Sequence, residues 1–209
     1  MNHCETHHIL SIFQHGFRAK HSCETQLVTT LEDISRAKNE GHNIDMLILD
    51  FSKAFDTVPH QRLNHKLDHY GISGKVGNWI TSWLTDRQQK VIIDGEESEP
   101  VHVKSGVPQG TVLGPLLFLL FINDISEKVE HSTIRLFADD CLLYMKVDTD
   151  EDYNKLQKDL KGLEEWSREW QMQFNAQKCY LLSIKNRGNQ TKHQYQLDGH
   201  TLEQVRIVG

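Results

Sequence analysis

The chain has 209 residues, 38% apolar and 25% charged, with four prolines and a formal charge of −6; this length holds one sizeable core or two small ones in an ordinary globular composition. Cys4, Cys23, Cys141 and Cys179 lack paired spacing, which argues against a zinc cluster or a disulfide framework and for a reducing intracellular compartment, nucleus or cytoplasm. No secretory leader is visible, the longest apolar run (residues 112–122) is too short to span a bilayer, and the acidic balance at first opposes a nucleic-acid partner.

Residues 1–13 are polar and carry His3, Cys4, His7 and His8. No second half of a metal site follows at ligand spacing, so a poorly structured start is expected. Residues 14–20, Gln-His-Gly-Phe-Arg-Ala-Lys, form a basic loop around Gly16. Ser22 is placed as an N-cap, and Leu27, Leu31 and Ile34 mark the apolar face of a helix that ends near Gly41. Residues 44–49, Ile-Asp-Met-Leu-Ile-Leu, read as a buried strand with Asp50 at its carboxyl end. A helix follows from Pro59, with Leu63, Leu67 and Tyr70 inward and Gly71 as its stop. Val76, Trp79, Ile80, Trp83 and Leu84 fall at amphipathic spacing and predict a helix whose tryptophans lie in the core, not on a stacking platform.

Residues 89–93 and 100–104, joined around Asp94-Gly95, predict a β-hairpin with a longer loop. Residues 105–110, Ser-Gly-Val-Pro-Gln-Gly, predict a glycine loop before a helix over 115–129. There glycine admits close backbone approach, and Gln109 offers donors and an acceptor. Residues 133–137 and 141–147 predict a second hairpin with Asp139 and Asp140 at its tip. Adjacent acids in apolar surroundings repel, and a hard divalent cation relieves them. A solvated turn that simply favours Asp is the other reading, and the hairpin alone leaves both open. Thr149 caps a helix bearing Tyr153, Leu156, Leu160, Leu163, Trp166 and Trp170; a strand over 179–185 and a last hairpin over 195–202 follow. If Asp50 is to meet Asp139, their strands are antiparallel neighbours in an α+β sheet backed by helices on one face. Such a trio of carboxylates suits two-metal phosphoryl transfer, with cations about 3.5–4 Å apart.

Residues 49–56 (Leu-Asp-Phe-Ser-Lys-Ala-Phe-Asp), residues 105–110 with Leu-Gly-Pro-Leu-Leu-Phe at 113–118, and Phe-Ala-Asp-Asp at 137–140 resemble three core motifs of reverse transcriptases, in the family's order. Gln-His-Gly-Phe-Arg at 14–18 with Ser22 resembles the motif before them, and Trp166 with Asn-Ala-Gln-Lys at 175–178 the motif after. The set is similar to the enzyme of non-LTR (LINE-type, jockey-like) retrotransposons and covers about residues 9–209.

This resemblance implies an antiparallel polymerase palm with partial fingers over residues 14–209, behind a loose segment at 1–13, and no thumb. It implies an RNA-directed DNA polymerase, a nucleotidyltransferase acting on an RNA template, a DNA primer and dNTPs, away from membranes. Asp50, Asp139 and Asp140 would hold two Mg²⁺ ions, with Mn²⁺ as a possible substitute, and the Phe51 carbonyl would complete one coordination sphere. Backbone amides near Lys53 and Ala54 would meet the triphosphate, and Phe55 would exclude a ribose 2′-hydroxyl. Gln109 would contact the incoming nucleotide, Gly110 would keep the loop close, and Lys178 would protonate departing pyrophosphate; an exposed basic side chain is the plainer account of that lysine. Asp56 is taken as structural because it would point away from Phe55 on extended backbone. Cys141 is taken as strand packing, since Mg²⁺ has no use for a soft thiol.

The family's earlier fingers strand with its triphosphate-binding basic residues, and the thumb that follows, have no counterpart in these residues. Their absence would account for the acidic balance. It implies weak or no activity for the chain alone, with a catalytically inactive or co-opted fragment that binds RNA or protein as the alternative. A nucleotide cyclase would leave Phe55 and the Gln109 loop unexplained.

Overall fold

A computed structural model describes residues 2–185 and 193–205. In chain order the elements are α1 (Asn2–Thr6), α2 (Cys23–Asn39), β1 (Ile44–Leu49), α3 (Ala54–Thr57), α4 (His60–His69), α5 (Gly74–Leu84), β2 (Gln88–Gln89), β3 (Ile92–Ile93), β4 (Glu96–Glu97), β5 (Val101–His102) and α6 (Leu113–Ile122). A 3₁₀ turn (Asn123–Lys128) leads to β6 (Thr133–Phe137), β7 (Asp140–Lys146) and α7 (Asp150–Trp170). A second 3₁₀ turn (Ala176–Lys178) precedes β8 (Tyr180–Ile184), β9 (Gln196–Leu197), β10 (His200–Thr201) and β11 (Glu203–Val205). The predicted helix over 115–129 is therefore an α-helix that tightens to 3₁₀ after Ile122. Among the described residues no helix is long and apolar enough to cross a membrane.

The chain divides into two compact units, one of residues 1–9 and 53–122 and one of residues 10–52 and 123–209. The second contains a five-stranded sheet in the order β11-β8-β1-β7-β6. Its pairs are antiparallel except β11 with β8. β1 lies in the middle, Leu49 opposite Cys141 and Ile44 opposite Lys146, so its unbroken apolar run is covered on both edges. Helices start where the caps say: Ser22 and Thr149 each accept from the backbone N–H three residues on, while Thr25 and Asp152 bond back, giving two reciprocal capping boxes.

Both faces of this sheet carry a helix, whereas one-sided backing was expected. Ile44, Met46 and Tyr144 pack with Ala37 and Ile34 of α2. On the other face Asp45 accepts from the Tyr195 hydroxyl at 2.9 Å, and the Tyr195 ring lies 4.9 Å from that of Tyr153 on α7. Leu156, Leu160, Leu163 and Trp166 of α7 are fully buried, each contributing about 1.5–3 kcal/mol of transfer free energy.

The face of α2 read from its leucines is the wrong one. Leu27 is 58% exposed and Leu31 51%, while Gln26, Thr30 and Ala37 are buried. A polar anchor sets the rotation: Asp33 accepts from Arg135 Nη2 at 2.9 Å and from the Tyr144 hydroxyl at 2.6 Å, which turns the 26-30-33-37 line towards β6 and β7. Hydrogen bonds to that carboxylate in partly buried surroundings outweigh the burial of one leucine stripe.

In the first unit Leu63 and Leu67 of α4 and Ile80 and Leu84 of α5 are buried, and α6 is buried nearly all round, as its uniform apolarity requires. Trp79 departs from its predicted core position: it is 54% exposed and lies parallel to the half-buried Trp83, ring centroids 6.0 Å apart. Eleven residues of helix can bury one line, and Ile80–Leu84 occupies it. The predicted hairpin around Asp94-Gly95 forms as paired β3 and β4, with β2 pairing β5 below. Both turn residues have positive φ, 52° and 88°, the type I′ geometry that Asp-Gly favours.

Candidate active site

Asp50 follows the last residue of β1, and Asp140 opens β7. Continuing the antiparallel register from Leu49–Cys141 by one step sets Asp50 across from Asp140, with Asp139 in the turn beside them. Antiparallel pairing of β1 with β7 thus joins carboxylates about ninety positions apart in sequence.

The hairpin tip is strained and held from outside. Phe137 pairs with Asp140, leaving a two-residue turn in which Ala138 has φ +54°, a left-handed conformation unusual for a residue with a Cβ. Gln14, only 2% exposed, clamps it: Oε1 accepts from Ala138 N at 2.8 Å and Nε2 donates to Ala138 O at 3.1 Å. The same Oε1 accepts from Gly16 N at 2.7 Å. A Cβ at Gly16 would lie 2.3 Å from Ala138 N, so glycine is required for this approach. Arg18 Nη1 steadies the loop by donating to Ser11 O at 2.7 Å. The basic-loop motif was recognised in sequence; its work on the acidic tip was not, since nothing local in residues 14–18 names a partner 124 positions away.

Asp50 is pinned by the segment after α7. Its carbonyl accepts from Asn175 N at 2.8 Å, its N–H donates to Cys179 Sγ at 3.4 Å, and Lys178 Nζ lies 3.9 Å from its Oδ2. Phe51 bridges Phe174, their rings stacked at 4.2 Å. The bonds of that bridge come from Asp50 O and Ser52 N, so it does not use the Phe51 carbonyl. Cys141 is buried beside the site, and burial raises its thiol pKa, consistent with a packing role.

Burial raises the Asp139 carboxyl pKa, its own backbone N–H works against this, and Asp50 adds repulsion. Burial, then the charges of Asp139 and Asp50, raise that of Asp140. Asp50 thus acts on both acids of the tip, and Asp139 on Asp140, while Lys178 faces Asp50 alone. Among the described residues no three His, Cys, Asp or Glu side chains are gathered closely enough to hold a metal ion as they stand. The donor set nevertheless fits hard cations, because it consists of carboxylate and carbonyl oxygens whose charge a divalent ion would neutralise.

The remaining sequence-predicted residues lie in the other unit. Lys53 has φ +48° and is exposed, and Ala54 is buried in the first turn of α3. Phe55 stacks on Phe118, centroids 4.3 Å apart. Backbone here is a short helix and not the extended chain assumed for Asp56. Asp56 anchors the glycine loop: its Oδ1 accepts from Gln109 Nε2 at 2.9 Å and its carbonyl from Ser105 Oγ at 2.8 Å. Gly106, φ +89°, packs so closely that a Cβ would lie 2.7 Å from Asp56 O. Gly110 closes the loop with φ +73°.

A family model for reverse transcriptase (RNA-dependent DNA polymerase) matches residues 1–206. The chain belongs to the reverse transcriptase family. Reverse transcriptase relatives include the RNA-directed DNA polymerase from mobile element jockey of Drosophila melanogaster, 30% identical over 84% of this chain and 20% of the relative. A transposon X-element protein of the same species is 32% identical over 81% of this chain and 20% of its own length. The chain thus spans about a fifth of these relatives. Among solved structures, apo telomerase from Candida tropicalis superposes with a TM-score of 0.60 at 13% identity, over 90% of this chain and 39% of that one, a likeness of fold. Telomerase from Candida albicans, solved with a fragment of telomeric RNA, gives 0.60 at 14% identity over 90% and 33%. The polymerase-palm architecture expected from the motifs is the one observed.

Proposed function

We propose that this chain is the palm, with part of the fingers, of a reverse transcriptase that extends a DNA primer on an RNA template. The observation that carries the reading is the register of β1 on β7, which sets Asp50 against the Asp139-Asp140 tip in a chain of this family. The sheet-bearing residues 14–52 and 123–209 form the palm and the segment 53–122 contributes fingers; residues 1–13, expected to be loose, instead carry α1 and bury Cys4 and Leu10.

Asp50, Asp139 and Asp140, with the Phe51 carbonyl, would hold a pair of Mg²⁺ ions, for which Mn²⁺ could substitute. When bound, the ions lower the cost of charge developing on the attacking and leaving oxygens. The primer 3′-hydroxyl oxygen forms its bond to the α-phosphorus of the dNTP as the bond from that phosphorus to the oxygen bridging to the β-phosphate breaks; the hydroxyl proton passes to solvent and pyrophosphate departs. Lys178, beside Asp50, is positioned to give that leaving group a proton. Backbone amides near Lys53 and Ala54 receive the triphosphate. To Phe55, its ring stacked on Phe118, we assign the exclusion of a ribose 2′-hydroxyl. Gln109, oriented by Asp56 and backed by Gly110, contacts the nucleotide.

One rival is a catalytically inert or co-opted fragment that binds RNA or protein. Primer extension on primed RNA with dNTPs and Mg²⁺ separates them. Incorporation abolished by Asp139→Asn supports the polymerase; no incorporation, or incorporation indifferent to that change, supports the rival.

A further inference from the structure

Of the four cysteines, Cys4, Cys141 and Cys179 are buried and Cys23 is exposed, each a free thiol. Cys23 opens α2, directly after the Ser22 cap, and lines a cavity of about 410 Å³ between that helix and strands β1 and β7. The cavity lies wholly within the sheet-bearing unit, and its size suits a small molecule. Leu27, Ile48, Leu49, Phe137 and Leu142 give it apolar walls. Asp140, at the acidic tip, also borders it.

An exposed cysteine at a helix start is ordinary; two features of the wall behind it point to an occupant. Gln26 is 6% exposed and lines the same cavity, and its Oε1 has no hydrogen-bond partner among the described residues. Buried amide oxygens are nearly always paired, because one left unmet forfeits its bond to water. Leu27, on the cavity wall, leaves more than half of its surface in water. Residues 23, 26 and 27 share one face of α2, so the Cys23 sulfur and the Gln26 amide are neighbours one turn apart. A molecule with an apolar body and one hydrogen-bond donor would cover the leucine and pair the amide oxygen, and the thiol is placed to bond to it.

We propose that Cys23 is a covalent-modification site for α,β-unsaturated carbonyl compounds that carry an apolar body and a hydrogen-bond donor. The sulfur forms a bond to the β-carbon as the carbon–carbon π bond breaks; the thiol proton passes to solvent, and the α-carbon takes a proton from water. No oxidant or metal is consumed. The apolar body fills the cavity along Leu27 and Phe137, and the donor meets Gln26 Oε1. This does not depend on the polymerase reading, although it sets the adduct beside Asp140.

The test treats the 209-residue chain at neutral pH with three reagents: N-phenylacrylamide, N-methyl-N-phenylacrylamide, which lacks the donor, and N-(2-hydroxyethyl)acrylamide, which lacks the apolar body. Each rate is divided by that of the same reagent with glutathione, and adducts are located by peptide mass spectrometry. The adduct should form at Cys23, with N-phenylacrylamide ahead of the hydroxyethyl reagent by about tenfold and ahead of the N-methyl reagent by about threefold. Leu27→Gln should reduce the preference for the phenyl group to less than about threefold, and Leu27→Met should keep it. The phenyl adduct should also melt about 2 °C or more above the hydroxyethyl adduct, which a thiol merely in solvent would not produce. Labelling of Cys4, Cys141 or Cys179 marks unfolded chain, so a variant that misfolds identifies itself. Equal normalised rates for the phenyl and hydroxyethyl reagents, a preference unchanged in Leu27→Gln, or an adduct of the folded chain at another cysteine overturns the proposal. So does a rate indifferent to N-methylation, since Gln26 would then have no part in it.

Discussion

Gln14 holds both the N–H and the carbonyl of Ala138, the left-handed residue immediately before Asp139. One buried amide therefore fixes the backbone from which the first acid of the pair projects. Gln14→Leu leaves the Ala138 and Gly16 N–H groups without their acceptor, a loss on the order of 3 kcal/mol in chemical denaturation. Primer extension should fall with it even under conditions where the chain stays folded. Unchanged stability would remove the clamp from the account.

The acids of the tip repel in the absence of a cation, which gives a thermal signature. Because the folded pKa values of Asp139 and Asp140 are raised, their contribution to stability is full at low pH and is lost as pH rises through those values. At pH 7 without metal, Asp139→Asn should raise the melting temperature. Added Mg²⁺ should stabilise wild type and have a smaller effect on the variant. Equal Mg²⁺ gains in the two chains would count against the cation site.

Asp33 behaves in the opposite sense. Burial alone would raise its pKa, but hydrogen bonds from Tyr144 and Arg135 and the Arg135 charge bring it below the ordinary carboxylate value, while burial and Asp33 push the Tyr144 phenol up to about 12. The stabilisation is present above the unfolded pKa, near 4, and is lost as pH falls through the lower folded value. Asp33→Asn should cost about 1 kcal/mol at pH 7, and the gap from wild type should close below about pH 4 in acid titrations followed by circular dichroism.

Phe55 is braced against Phe118. In an extension assay, Phe55→Ala should raise incorporation of ribonucleotides relative to deoxynucleotides on the order of tenfold. A ratio that does not move would take the sugar gate away from this residue.

On α5 the two apolar lines differ in burial. Leu84→Ala should cost about 2–5 kcal/mol by opening a cavity, whereas Trp79→Ser should stay within about 0.5 kcal/mol. Comparable losses at both positions in urea would restore the tryptophan to a core.

Much of this was legible in the chain itself. Ser22 and Thr149 as caps, the buried run before Asp50 and the acidic hairpin are all dictated by interactions within a few residues, and they appear where the sequence puts them; at Asp94-Gly95 the sequence reads as a longer loop, and the structure makes a two-residue turn. Motif order named the family for the same reason, since each motif is a local run. What sequence could not decide was orientation and partnership. Leu27 and Leu31 look like a core stripe until Asp33 finds Arg135 and Tyr144 about a hundred positions away; Trp79 looks buried until Ile80 and Leu84 occupy the one buried line of α5.

By itself, then, the sequence determined the elements, their caps and turns, and the family in which three acids recur. Tertiary structure alone decided that Gln14 braces Ala138, that Asp50 stands opposite Asp140, and that Cys23 and Phe137 border one cavity. Hydrogen bonds and charge pairs between distant residues depend on strand register and helix rotation. Those are set by the whole of the packing and leave no periodic trace in any one segment.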